Sequence, residues 1–326
     1  MKNSLRFLLL ICPLLIANLP AHCWGFYAHQ KINYYAVFLL PPEMIVLFKT
    51  NIGFLSEHAI DPDKRRYAVP AEAPRHYIDI DKYGTYPYPA LPRKWTEAVA
   101  KFGEDTLKQH GIVPWHVQTM LYRLTDAFKA KNFSLIMKNA AEIGHYLADA
   151  HVPLHASSNH NGQLTNQKGI HGFWESRVPE LLAEKEFDFF IGKAEYIQNP
   201  GDFIWKRVLE SAQAADTVLN YERELTLQFA DDKKYAYENR NGKTIRQYSS
   251  AFTIAYNKKL DGMIERRMRQ SIFAIASFWY TAWVNAGQPN LKEMVTQKFS
   301  EADIKEFEKL NKQWSSGGKM IGREEQ

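Results

Sequence analysis

The stretch His145-Tyr-Leu-Ala-Asp149 constrains this chain more than any other feature, because His171-Gly-Phe-Trp-Glu175 repeats its spacing downstream. In a helix, residues four apart lie one turn apart on one face, so each pair brings an imidazole nitrogen and a carboxylate oxygen together. His151 and His155 follow the first pair closely, and no cysteine lies near either. Histidine combined with aspartate or glutamate is the ligand set of hydrolytic metal sites, whereas structural sites favour thiolates.

The ends of the chain bear on where such a site would work. Residues 1–23 read as an export signal, with Lys2 and Arg6 as the charged start and Phe7 to Ala17 as an apolar run broken only by Pro13. The run is shorter than the roughly 20 residues that a membrane-spanning helix needs. Ala21-His22-Cys23 places small residues where a signal peptidase reads, so cleavage is expected before Trp24, releasing a periplasmic or secreted protein. Cys23 as a lipidated cysteine is the alternative, and Pro20 and His22 fit it poorly. Cys12 and Cys23 are the two cysteines, so the mature chain has none and must be held by its core or by metals. Without Lys2 and Arg6 there remain 39 basic against 36 acidic residues, an excess too small to diagnose nucleic-acid binding. No further segment reads as membrane-spanning, so any membrane contact would be peripheral.

Most of the chain reads as helix, and the expected class is mainly α. Met120, Leu121, Leu124 and Phe128 fall at helical spacing after Pro114, and Ile136, Ile143 and Leu147 continue a stripe into the His145 run. Ile272 to Val284 predicts a buried helix ended by Gly287 and Pro289. A small β-hairpin is expected near 234–248, around Asn241-Gly242. Residues 24–290 read as one domain. Residues 291–326 read as an appended amphipathic helix, with Ile304, Phe307, Leu310 and Trp314 on one stripe, and then a frayed tail.

Taken singly, each histidine is more often a surface or hydrogen-bonded residue than a ligand, but the joint pattern is specific. Trp24-Gly-Phe-Tyr-Ala-His29, Ala59-Ile-Asp61-Pro-Asp63 with Arg66, His76-Tyr-Ile-Asp79, His145-x3-Asp149-x5-His155 and His171-x3-Glu175 stand in order along 24 to about 290. Together they resemble the superfamily that unites bacterial zinc-dependent phospholipases C with secreted single-strand-specific zinc nucleases. The resemblance implies an all-α fold, a multi-helix bundle around a cleft that holds three zinc ions. Asp63, His76, His145 and Asp149 would hold one ion; Trp24, His29 and Asp149 a second; His155, His171 and Glu175 the third. Asp149 would bridge, and Asp63 and Asp149 would stand at the reaction centre. Trp24 would bind through its new α-amino nitrogen and its carbonyl oxygen, so signal removal would be a condition of assembly. Paired zinc ions screen phosphodiester charge and lower the pKa of water between them, while a third stabilises the leaving alkoxide.

Other positions carry competing readings. Asp61 is the alternative to Asp63. His151 reads as a packing or supporting histidine, and Asp79 as orienting His76 or capping a turn. Arg65 and Arg66 read as a solvated face, with Arg66 a candidate for substrate phosphate, and Asn159 and His160 are candidates for substrate contact in a polar loop. Phe173 and Trp174 read as core. The opening Trp24-Gly-x3-His29 and the element His151-Val-Pro-Leu-His155 look like the nuclease branch. The short interval from His155 to His171, Glu175 in place of Asp, and the absence of cysteine look like the phospholipase branch. The expected partner is thus a phosphodiester, either a phospholipid or a single-stranded nucleic acid. An exported zinc-binding protein without turnover is a third reading.

Overall fold

A computed structural model describes residues 25–240, 242–317 and 320–322. The expected signal, its cleavage point and Trp24 lie outside these residues. The fold is all-α, with one two-stranded antiparallel sheet among the described residues. No helix among them is long and apolar enough to cross a membrane.

The centre is the helix Met263–Asn285, longer than the apolar run alone predicts. Ile264, Met268, Ile272, Ile275, Phe278, Trp279 and Ala282 recur along it at helical spacing and are fully buried. Against it pack Phe26–Ala36, Val113–Lys129 and Phe133–Asp149. Burial of Trp279 is made tolerable by its indole N–H, which donates to the Ala140 carbonyl at 2.9 Å.

Phe133–Asp149 carries half of the opening motif and starts where Asn132 accepts from the Leu135 N–H, as an N-cap does. Its apolar stripe of Ile136, Met137, Ala140, Ile143 and Leu147 faces the core. Gly144 lets Phe26–Ala36 come close: a Cβ there would overlap the Asn33 side chain, whose amide donates to the Leu55 and Ala141 carbonyls, each at 3.0 Å. His29 sits one turn from Asn33, so that same close approach stacks its ring on His145, with centroids 3.9 Å apart.

The hairpin is present as Tyr235–Arg240 and Lys243–Tyr248, paired from Tyr235↔Tyr248 to Arg240↔Lys243. Gly242 has φ +77°, the backbone that two-residue turns demand. Tyr248 stacks on Phe173 at 3.8 Å, and both Phe173 and Trp174 are buried, as core residues are.

The C-terminal helix docks on the body. Glu301–Ser315 is a helix with a Ser300/Asp303 capping box. Phe307 packs on Phe54 and His58, and Trp314 meets Phe26 at 5.5 Å, whereas Ile304 is exposed. The chain beyond it is not simply frayed: the Ile321 N–H donates to the Arg66 carbonyl at 2.8 Å, and Gly322 lies against Ala73.

Candidate metal centre

Three sets of side chains converge in the interior: His29, His145 and Asp149; Asp63, His76 and His145; and His155, His171 and Glu175. Each set offers ligand atoms within 4.8 Å of one another, close enough for a metal ion. The third set is the one the resemblance implies; the other two bring together the same residues with His145 also beside His29, and Trp24 lies outside the described residues. They are assembled from the first helix, the Asp61–Arg65 helix, the loop at His76, the end of Phe133–Asp149, and the turns at His155 and His171.

Asp149 stands at the join. Its Oδ2 lies 3.0 Å from His76 Nδ1 and 3.2 Å from His145 Nε2, while its Oδ1 lies 3.4 Å from His29 Nε2. The two oxygens of one carboxylate therefore face different sets. Asp63 Oδ1 is 3.7 Å from both His76 Nδ1 and His145 Nε2. In the third set, His171 Nε2 is 3.1 Å from Glu175 Oε2 and 3.1 Å from His155 Nε2.

The ring nitrogens are oriented from behind. His145 Nδ1 donates to the Ala59 carbonyl at 2.8 Å, His155 Nδ1 to that of His76 at 2.6 Å, and His171 Nδ1 to that of His160 at 3.0 Å. A proton fixed on Nδ1 leaves the Nε2 lone pair pointing inward, the arrangement of a metal-ligating imidazole. Both oxygens of Asp63, both ring nitrogens of His29 and Oδ1 of Asp149 are buried without a hydrogen-bond partner. Leaving such groups unpaired costs about 1–3 kcal/mol each, so the donor set fits a cation.

The field points the same way. Burial opposes charge on Asp149, but His145 and His155 outweigh it and hold the carboxyl well below its ordinary range. Burial likewise lowers His145, and Asp149 and Asp63 override it, raising the ring to about 9. His29 is pushed down to about 4, chiefly by burial and then by His145.

The structure places the other candidates as follows. Asp61 is engaged by His58 at 2.5 Å and Lys64 at 3.0 Å, so Asp63 is the carboxylate in the cluster. His151 joins none of the sets; its Nδ1 donates to the Leu147 carbonyl at 2.7 Å, and burial holds it neutral, down to about 3. Asp79 opens the Ile80–Tyr83 turn without a side-chain capping bond. Asn159 organises its own loop, accepting from Leu164 N–H at 2.9 Å and donating to Thr165 at 3.1 Å, and His160 supplies the carbonyl behind His171. The solvated-face reading of Arg65 and Arg66 is corrected: Arg65 bonds Glu142 at 2.7 Å and Glu72 at 3.1 Å, and Arg66 is wholly buried.

All eight side chains of the sets are buried. The C-terminal helix and residues 320–322 lie against Asp61–Arg66, the segment that presents Asp63, with Lys64 Nζ donating to Asn311 at 2.8 Å.

Two supporting residues escaped the sequence reading. Glu72 is buried with Oε1 3.6 Å from His76 Nε2, on the far side of the ring from Asp149. It accepts from Arg65, Arg75 and Tyr146, and burial's upward push on its carboxyl is overcome by His76 and Arg65, which hold it well below the usual range. The spacing Glu72-x3-His76 is the same i, i+4 signal as His145-x3-Asp149 and would have found it. Asn161 is buried and accepts from Gly169 N–H at 2.9 Å and His171 N–H at 3.4 Å, pinning the third set. No family model and no curated protein matches this chain.

Proposed function

We propose that this chain is an exported zinc-dependent phosphodiesterase of the phospholipase C type, with three zinc ions held by the three sets. The observation that carries the reading is Asp149, a buried carboxylate with one oxygen toward His76 and His145 and the other toward His29. Such a group holds two cations a short distance apart, the device that phosphodiester hydrolysis uses. When bound, zinc would supply Lewis acidity, screen the phosphate charge and lower the pKa of water in the site.

The residues have distinct parts in this reading. His145, His155 and His171 are turned inward by their backbone acceptors. Asp63, with both oxygens unpartnered beside His76 and His145, accepts the proton of the attacking water. Trp24 would complete the His29 set through its α-amino group. Gly25, the next residue in sequence, is buried with no room for a Cβ beside Ser176, the neighbour of Glu175.

A second reading, a single-strand nuclease or 3′-nucleotidase on the same metals, is favoured by Trp24-Gly-x3-His29 and by His151-Val-Pro-Leu-His155. The test is product analysis of zinc-loaded protein, matured through its own signal, offered phosphatidylcholine and single-stranded RNA in parallel. Diacylglycerol and phosphocholine are expected. Nucleotides with intact lipid would replace the first reading by the second, and survival of both substrates would refute hydrolysis of either kind.

A further inference from the structure

The third set, His155, His171 and Glu175, is braced by a carboxylate that is not one of its members. Glu222, on the Pro200–Thr226 helix, is only 1% exposed and gathers donors from separate parts of the chain. Gln167 Nε2 donates to its Oε2 at 2.5 Å, while Lys234 Nζ lies 2.7 Å, Thr226 Oγ1 3.1 Å and the Tyr248 hydroxyl 3.3 Å from its Oε1. Burial and then Glu222 push the Tyr248 hydroxyl far above its ordinary range, so it stays protonated and donates. Desolvation offsets most of the attraction in a buried ion pair, so the net stability it adds is small and the arrangement it imposes on its partners is the larger consequence.

The parts that Glu222 joins flank the third set on both sides. Before His171, Gln167 Nε2 also donates to the Leu219 carbonyl at 2.7 Å, which anchors the loop to the helix. The Gln167 N–H donates to the Gly162 carbonyl at 2.9 Å, and the Gln167 carbonyl accepts from Ile170 at 3.1 Å, where the turn that carries His171 begins. Gly162 has φ +67°, and a Cβ there would overlap Gln167, so the loop closes tightly on this residue. Asn161, next to Gly162, takes the Gly169 and His171 amides. After His171, Tyr248 stacks on Phe173, which stands in the chain between His171 and Glu175. The Tyr248 carbonyl accepts from Arg177, just past Glu175, at 3.3 Å. Phe173–Arg177 is a π-helical turn, a rare form that recurs at functional sites.

We propose that Glu222 is a positioning residue for the third set, fixing His171 through Gln167 and Glu175 through Tyr248 so that both meet His155 around one metal ion. The proposal rests on the metal reading above. It gives the hairpin and the Pro200–Thr226 helix a part in the site, although neither contributes a member of the three sets.

Two variants test it. Glu222→Gln keeps the shape and removes the charge that Lys234 faces, whereas Gln167→Leu cuts only the link to the loop and spares that ion pair, so it stands in if the first fails to fold. Each is prepared as zinc-loaded protein matured through its own signal, titrated with a chelator, and followed by hydrogen exchange before and after stripping. One ion of the three should leave about 10–100-fold more readily, with the other two held as in the unaltered protein. General loosening of the fold would instead weaken all three together. The Gly169 and His171 amides should exchange faster even in stripped protein, while those of Phe133–Asp149 keep their rates. Unaltered protein that takes up no metal would overturn the metal reading and this proposal with it. Normal metal uptake by the unaltered protein, with all three ions equally retained or equally loosened in Gln167→Leu, would overturn the proposal for Glu222 alone.

Discussion

Asp149 concentrates the account into one side chain. Asp149→Asn keeps its shape but removes the charge shared between two sets, so activity should fall by at least about a hundredfold and metal content should drop, as read by turnover and metal analysis. Near-normal turnover would refute the bridging role. Glu72 acts through His76: Glu72→Gln should weaken metal affinity about 10–100-fold, measured by competition with a chelator, and an unchanged affinity would leave Glu72 a purely structural ion-pair partner of Arg65 and Arg75. His151→Ala should leave metal content intact, because His151 touches none of the sets. The residue scale was also where the sequence was most legible. His145/Asp149 and His171/Glu175 are local pairs, visible in spacing, whereas Asn161 beside His171 and the exclusion of Asp61 by His58 and Lys64 depend on how the turns close.

Elements meet through a few decisive contacts. Gly144→Ala should drive Phe26–Ala36 away from Phe133–Asp149, at a cost of about 1–3 kcal/mol for overpacking. It should also move His29 off His145, so thermal stability and zinc content should fall together. The C-terminal helix is tied to the body by Asp303, which lies 2.7 Å from Lys138 and accepts from Ser134 at 2.9 Å. The Lys138 and Ser300 bonds hold its carboxyl well below the ordinary range. A depressed acid contributes its stability fully above the unfolded value, roughly pH 4, and loses it as pH falls toward the folded value. Acidification below about pH 4 should therefore loosen this helix, a change that Trp314 beside Phe26 would report. A helix insensitive to Asp303→Asn would contradict that coupling. Periodicity announced this helix and the hairpin turn, but not the return of residues 320–322 to Arg66, which rests on a backbone hydrogen bond that leaves no mark on side-chain pattern.

Across the whole molecule, the sets are buried, and the terminal helix stands against the segment that presents Asp63. Removing residues from Glu301 onward should leave the metal ligands in place and speed chelator stripping; an unchanged rate would mean that access runs elsewhere. What unites the molecule is a bundle whose interior holds clusters of carboxylates and imidazoles that could hold metal ions. The most direct measurement is the zinc content of protein matured through its own signal. The account predicts about three ions per chain, the usual ligand count being met at each set. Protein that retains none after exposure to zinc and removal of the excess would contradict it.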